Sequence, residues 1–301
     1  MCAAKSEKKT PSRLKRLVAW LVGTGRPVVY LLLIAGVFGG GSYLAWHKMR
    51  PRILDAPEYR LGPGQVNVSP PTPAWIHSDI LAEAFRDPRL DGALSIMDDD
   101  LVDRIRKVFE DHPWVERVVR VQRRHPASVD VELEYRRPVC MVQVPKGVLA
   151  VDPKGVVLPS GDFTPYEATR YPLIVGVDRK PSTPVGRTWR DAKVIGGAEI
   201  AAAFGPAWDV LKLHRIVPMP NAPSGAGVGP SSEPFFALTT RKGTQILWGY
   251  APGANVLGEI PAQTKVDRLK QYQLDNDTLD DPRNERRELD VRTMGQATAG
   301  H

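Results

Sequence analysis

At 301 residues the chain is longer than an average single domain and allows two with extensions, so a sizeable core is within reach. Its formal charge of +7 and pI near 9.4 invite a nucleic-acid reading, but residues 1–26 hold seven Lys or Arg against one acid and carry +6 of that charge. The basicity belongs to a tail, which excludes a basic surface spread over the rest of the chain.

The tail (Lys5, Lys8, Lys9, Arg13, Lys15, Arg16, Arg26) runs into PVVYLLLIAGVFGGGSYLAW, residues 27–46, twenty positions without a charge. As a helix this run is about 30 Å long, which matches the hydrocarbon core of a bilayer and predicts a transmembrane helix. Only Lys48, Arg50 and Arg52 follow before the first acid, so the positive-inside rule places residues 1–26 in the cytoplasm and everything after Trp46 outside. Tyr30, Tyr43 and Trp46 suit the membrane interface. The alternative is a cleaved signal peptide with GGGS at the cleavage site, although the apolar run is longer than an ordinary signal core. Gly36 and Gly40 form a G-x-x-x-G pair of the kind that brings membrane helices together. Cys2 and Cys140 fall on opposite sides of this membrane, so no bridge within the chain is expected. Cys140, in PVCMVQV, reads as a small buried apolar residue.

Residues 47–58 read as a linker, and prolines recurring from Pro51 to Pro73 preclude a long helix. A short strand is expected near QVNV. SDILAEAFRD, residues 78–87, predicts a short helix capped by Ser78. The following DDDLVDRIRKVFEDHPWV predicts a second, because Leu101, Val102, Ile105, Val108 and Phe109 share one stripe. Asp98, Asp99 and Asp100 sit at its start, where a helix terminus favours carboxylates; a calcium loop would need further ligands at other spacings. Pro113 closes the helix and a hairpin begins. Val115, Val119 and Val121 are assigned to one face of its first run, and Val129, Val131, Leu133 and Tyr135 alternate with Asp130, Glu132, Glu134 and Arg136 in its second. Arg117, Arg120 and Arg123 face those acids across a solvated surface, in pairs of about 0.2–1 kcal/mol each. Residues 59–139 thus read as strand, helix, helix, hairpin, a small α+β unit with helices on one side of a sheet.

Pro113, Trp114 and Val115 after the second helix, then Arg120, Pro126, Glu134 and Pro138 through the hairpin, resemble the POTRA domain of the FtsQ/DivIB cell-division family. His125 stands where that family usually has Trp. LAVDPKGVVLP (149–159) is similar to the family's next strand, turn and strand, with Asp152 and Gly155 at the turn. YPLIVG, a helix over 190–204, LKLHRIVPMP, the hairpin FFALTTRKGTQILWG, a helix at AQTKVDRLKQYQ and a closing strand RELDVRT follow in the family order. NAPSGAGVGPSSEP lengthens one connection, and LDDPRNERR puts a charged break before the closing strand.

No residue is nominated for chemistry. The six histidines form no H-E-x-x-H, and His112 and His125, which flank the first hairpin strand, read as strand ends rather than ligands. No G-x-S-x-G, S-x-x-K or P-loop occurs. Trp114, Trp189, Trp208 and Trp248 are assigned to cores.

The fold class implied is α+β: an N-terminal transmembrane helix (27–46), a POTRA unit (59–139) and a mostly-β domain with a few helices (140–301). The resemblance implies a non-enzymatic divisome scaffold in the cytoplasmic membrane at the septum, without cofactor, metal, nucleic acid or small-molecule substrate. Its implied partners are small bitopic division proteins of the FtsB and FtsL type. They would add a strand to the closing edge, Glu288, Leu289, Asp290, Val291, Arg292, Thr293, Met294 and Gly295. A POTRA protein of secretion or outer-membrane assembly is the alternative, and an anchored cell-wall hydrolase the third reading.

Overall fold

The computed structural model describes residues 26–54, 57–92, 94–219, 233–254, 256–280 and 288–293. The basic tail before Arg26 and most of the 221–234 loop therefore lie outside the described residues. The first helix, α1 (Arg26–Leu54), contains the uncharged run, and Leu31, Leu32, Ile34, Val37 and Phe38 on it are exposed. Among the described residues, no helix is long and apolar enough to cross a membrane. The side chains described on α1 from Tyr30 to Met49 include four glycines, Ser42, His47 and Lys48, which dilute the apolar stretch.

The next elements form a three-stranded sheet with two helices on one face. β1 (Arg60–Leu61) pairs antiparallel with β3 (Leu94–Ser95) beside it. β2 (Val66–Ser69) is followed by α2 (Ile80–Ala84) and α3 (Leu101–Asp111), then by β4 (Val115–Arg124) and β5 (Ser128–Tyr135). The sheet order is β2-β5-β4: Val66 and Val68 lie opposite Val129 and Val131 in parallel pairing, and β4 runs antiparallel to β5. Ile80, Ala84, Leu101, Ile105, Val108 and Phe109 bury against Val115, Val118, Val121, Val129, Val131 and Leu133. The apolar stripe of α3 is thereby matched to one face of the sheet.

Five local expectations need correction. α1 runs on to Leu54, past Pro51, so most of the stretch 47–58 read as a linker is helical. Asp79, not Ser78, caps α2 by accepting from the Ala82 N–H, while the Ser78 hydroxyl donates to Asp162. Asp100 makes no side-chain cap on α3; it and Asp98 instead pair with Arg104. Val119 is 44% exposed and Val118 takes its place inside, because irregularities at Val115/Arg117 and Val118/Arg120 break the two-residue alternation of β4. Arg123 donates to the carbonyls of Ile96 and Asp98, and it is Arg124 that pairs with Asp130. Arg117–Glu134 and Arg120–Glu132 pair across the wet face, which the irregularity at Val118/Arg120 lets both arginines share.

The rest of the chain builds a seven-stranded mixed sheet. β6 (Cys140–Val144) and β7 (Gly147–Val151) form a hairpin, and the chain turns at Asp152, whose carboxylate accepts from the N–H groups of Lys154 and Val156. After α4 (Pro165–Ala168), β8 (Leu173–Ile174) pairs parallel with β6. Helices α5 (Ala192–Phe204) and α6 (Ala207–Val210) lead to β9 (Leu213–Met219), β10 (Phe235–Thr240) and β11 (Gln245–Gly249). α7 (Ala262–Asn276) then precedes β12 (Glu288–Asp290), and the order across the sheet is β12-β11-β10-β9-β8-β6-β7.

Gly196 and Gly197 let α5 lie close to this sheet, since a Cβ on Gly197 would sit 2.6 Å from Ile174 Cδ1. Ile200, Phe204, Trp208, Trp248, Val266 and Leu269 fill the core with Cys140 and Val142, while burial pushes the Cys140 thiol pKa up. All four nominated tryptophans are buried.

Met141, Ala150 and Leu158 point the other way and belong to the core of the three-stranded unit. The inner part of the β6–β7 hairpin, Cys140–Val142 with Ala150 and Val151, is therefore dry on both faces, and polar contacts border it. Arg136 pairs with Asp152 at 2.8 Å, and Asp162 accepts from Trp114 Nε1 at 2.6 Å.

Candidate functional site

Of the nominated residues 288–295, the described ones, 288–293, fall at one end of the seven-stranded sheet. Glu288, Leu289 and Asp290 pair parallel with Gln245, Ile246 and Leu247, and the Val291 N–H donates to the Leu247 carbonyl at 3.3 Å. Leu289 and Val291 are buried, 6% and 0% exposed, in the core that contains Val266, Leu269 and Leu279. This apolar pair anchors the strand from below, as alternation along a strand provides.

Because the Val291 N–H points at β11, Leu289 shares that orientation and the backbone groups of Glu288 and Asp290 turn to the outer edge. Among the described residues no further strand lies on that side. A backbone edge of this kind can accept a partner strand without any catalytic group.

The edge is short because the chain turns at once. The Thr293 N–H and hydroxyl both donate to the Asp290 carbonyl, at 3.3 and 3.2 Å. The Asp290 carboxylate receives the Arg292 N–H, Nε and Nη2 at 3.0, 2.9 and 2.7 Å. Burial pushes the Asp290 pKa up, but these Arg292 contacts overcome it and hold the carboxyl below its ordinary range. The guanidinium of Arg292 also lies 5.1 Å from the Phe235 ring centre, against β10. Met294 and Gly295 lie outside the described residues.

Sequence reasoning missed the groups that hold this edge from α7. Lys265 is buried, its ammonium bound to Glu259 and 4.7 Å from the Trp248 ring centre. Burial lowers its pKa against the opposing pull of Glu259. Glu259 Oε1 also accepts the Tyr250 N–H at 3.0 Å, which ties the end of β11 to the start of α7. Arg268, one turn along, donates to the carbonyls of Val291 and Arg292. The signal was present: Lys265 adjoins Val266 on the stripe that continues through Leu269, an unusual place for a lysine.

No family model matches the chain. A stretch of 79 residues is 34% identical to the cell division protein FtsQ of Myxococcus fulvus. That match covers 26% of this chain and 26% of the relative, so the chain spans about a quarter of the length of the curated protein it matches.

Proposed function

We propose that this chain is a non-enzymatic cell-division scaffold of the FtsQ type, held in the cytoplasmic membrane and binding other division proteins outside it. The stretch shared with the FtsQ protein of Myxococcus fulvus carries the reading. In this account residues 1–26 are a cytoplasmic tail, 27–46 the anchor, 47–58 a linker, 59–139 a POTRA unit and 140–301 the partner-binding domain.

The twenty uncharged positions of the sequence and the exposed leucines of α1 support the anchor, since apolar side chains on an isolated helix need a nonaqueous surrounding. The β2-β5-β4 order, with β2 parallel to β5 and both helices on one face, fits the strand-helix-helix-hairpin plan of a POTRA unit. The segment Glu288, Leu289, Asp290, Val291, Arg292, Thr293, Met294 and Gly295, whose strand edge is Glu288–Asp290, receives a strand from a small bitopic partner of the FtsB or FtsL type. Backbone pairing gives such contacts affinity, and alternate side chains give them specificity. Septal localisation of the full chain, together with the division phenotype on its depletion, tests the reading.

A further inference from the structure

If residues 288–295 receive a partner strand, as proposed above, their backbone must be held in place by more than their own pairing. β12 pairs over three residues, and its ladder stops at the Val291 N–H. The next acceptor, the Val291 carbonyl, receives no N–H from β11 among the described residues. β11 ends there: Gly249, its last residue, has φ +103°, outside the extended range of a strand. A Cβ at that position would collide with Glu259 Oε1, so Gly249 lets β11 end against the Lys265–Glu259 pair.

A side chain takes over from the missing strand. Arg268 Nη1 donates to the Val291 carbonyl at 2.9 Å and to the Arg292 carbonyl at 2.8 Å. Its helix neighbours Val266 and Leu269 are buried in the same core as Leu289 and Val291, so the guanidinium is presented from a packed element. A guanidinium makes charge-assisted bonds stronger than a neutral donor gives.

We propose that Arg268 is a positioning residue for the partner edge: by bonding the carbonyls of Val291 and Arg292 it fixes the turn after β12 and so holds the strand in register on β11 for an incoming partner. It touches no partner itself. Its effect passes through the backbone it holds.

The test uses the full chain in lipid nanodiscs and two readouts. Amide hydrogen exchange follows Leu289 and Val291, with β9 and β10 as reference, and capture is measured with the purified FtsB-type protein of the same genome as probe. Arg268→Ala is expected to speed exchange at both amides by about tenfold or more and to weaken capture by a similar factor, with β9 and β10 unchanged. Arg268→Lys, which keeps the charge on a compact head, restores part of both effects, and Lys270→Ala, on the exposed side of the same helix, changes neither.

Unchanged exchange at Leu289 and Val291 overturns the proposal, as does an equal rise throughout β9 and β10. Faster exchange with undiminished capture also overturns it, provided Val291→Pro does weaken capture. If capture survives Val291→Pro as well, the strand-addition reading falls and the partner role of Arg268 falls with it.

Discussion

Val131 and Glu132 are adjacent and experience opposite surroundings. Val131 is fully buried opposite Val68 and Val121, whereas Glu132 lies on the wet face, 3.6 Å from Arg120 with both side chains about half exposed. Val131→Asp places an unpaired charge in that core and is expected to cost about 3–5 kcal/mol, enough to unfold the three-stranded unit. Glu132→Lys sets like charge beside Arg120 in solvent and is expected to cost under about 1 kcal/mol. Urea titration of the two variants checks the face assignment; equal losses would refute it.

His112 supplies a pH dependence. Its side chain is 7% exposed; Nδ1 accepts the Trp114 N–H at 3.3 Å, leaving Nε2 to donate to Glu83 at 3.1 Å. Burial lowers its pKa from the ordinary 6.5, and Glu83 opposes that shift without reversing it. A base whose folded pKa is depressed takes its proton more readily in the unfolded chain, so stability falls as pH drops below about 6.5. His112→Gln is expected to flatten this part of a melting-temperature profile measured from about pH 7.5 to about pH 5.5.

Among the elements, those with one dry side were legible in the sequence and those governed by irregular pairing were not. α3 and β5 could be read because their burial follows a single period. β4 could not, because its irregularities move Val118 inward and Val119 out. The closing strand was visible as an alternating run, but its shortness was not, since the turn at Asp290–Thr293 is set by side-chain bonds from Arg292 and Thr293. Val291 shows the difference between side chain and backbone. Val291→Ala removes a buried side chain, at about 1–3 kcal/mol, but keeps the N–H that reaches Leu247. Val291→Pro removes both. Capture of an FtsB-type partner, compared at equal folded fraction, is expected to fall much further with proline; equal capture would remove strand pairing from the account.

For the whole molecule, the two sheet units hold together because one hairpin serves two cores. Cys140 and Val142 face the larger core, and Met141 and Ala150 the smaller. The Arg136–Asp152 pair and the Trp114–Asp162 bond lie beside that shared layer, so movement of one unit against the other must break buried polar contacts. The mixture of helices and strands, and the strand-helix-helix-hairpin run within it, was readable from periodicity. The layer shared by the two units was not, because a strand buried on both faces gives the same apolar run as a strand inside a single core.

The scaffold role proposed above is one of location and binding. The most direct test follows a fluorescent fusion to the full chain in growing cells and then depletes it. The account predicts a band at the septum and filaments that elongate without dividing; a uniform envelope signal together with normal division on depletion would contradict it.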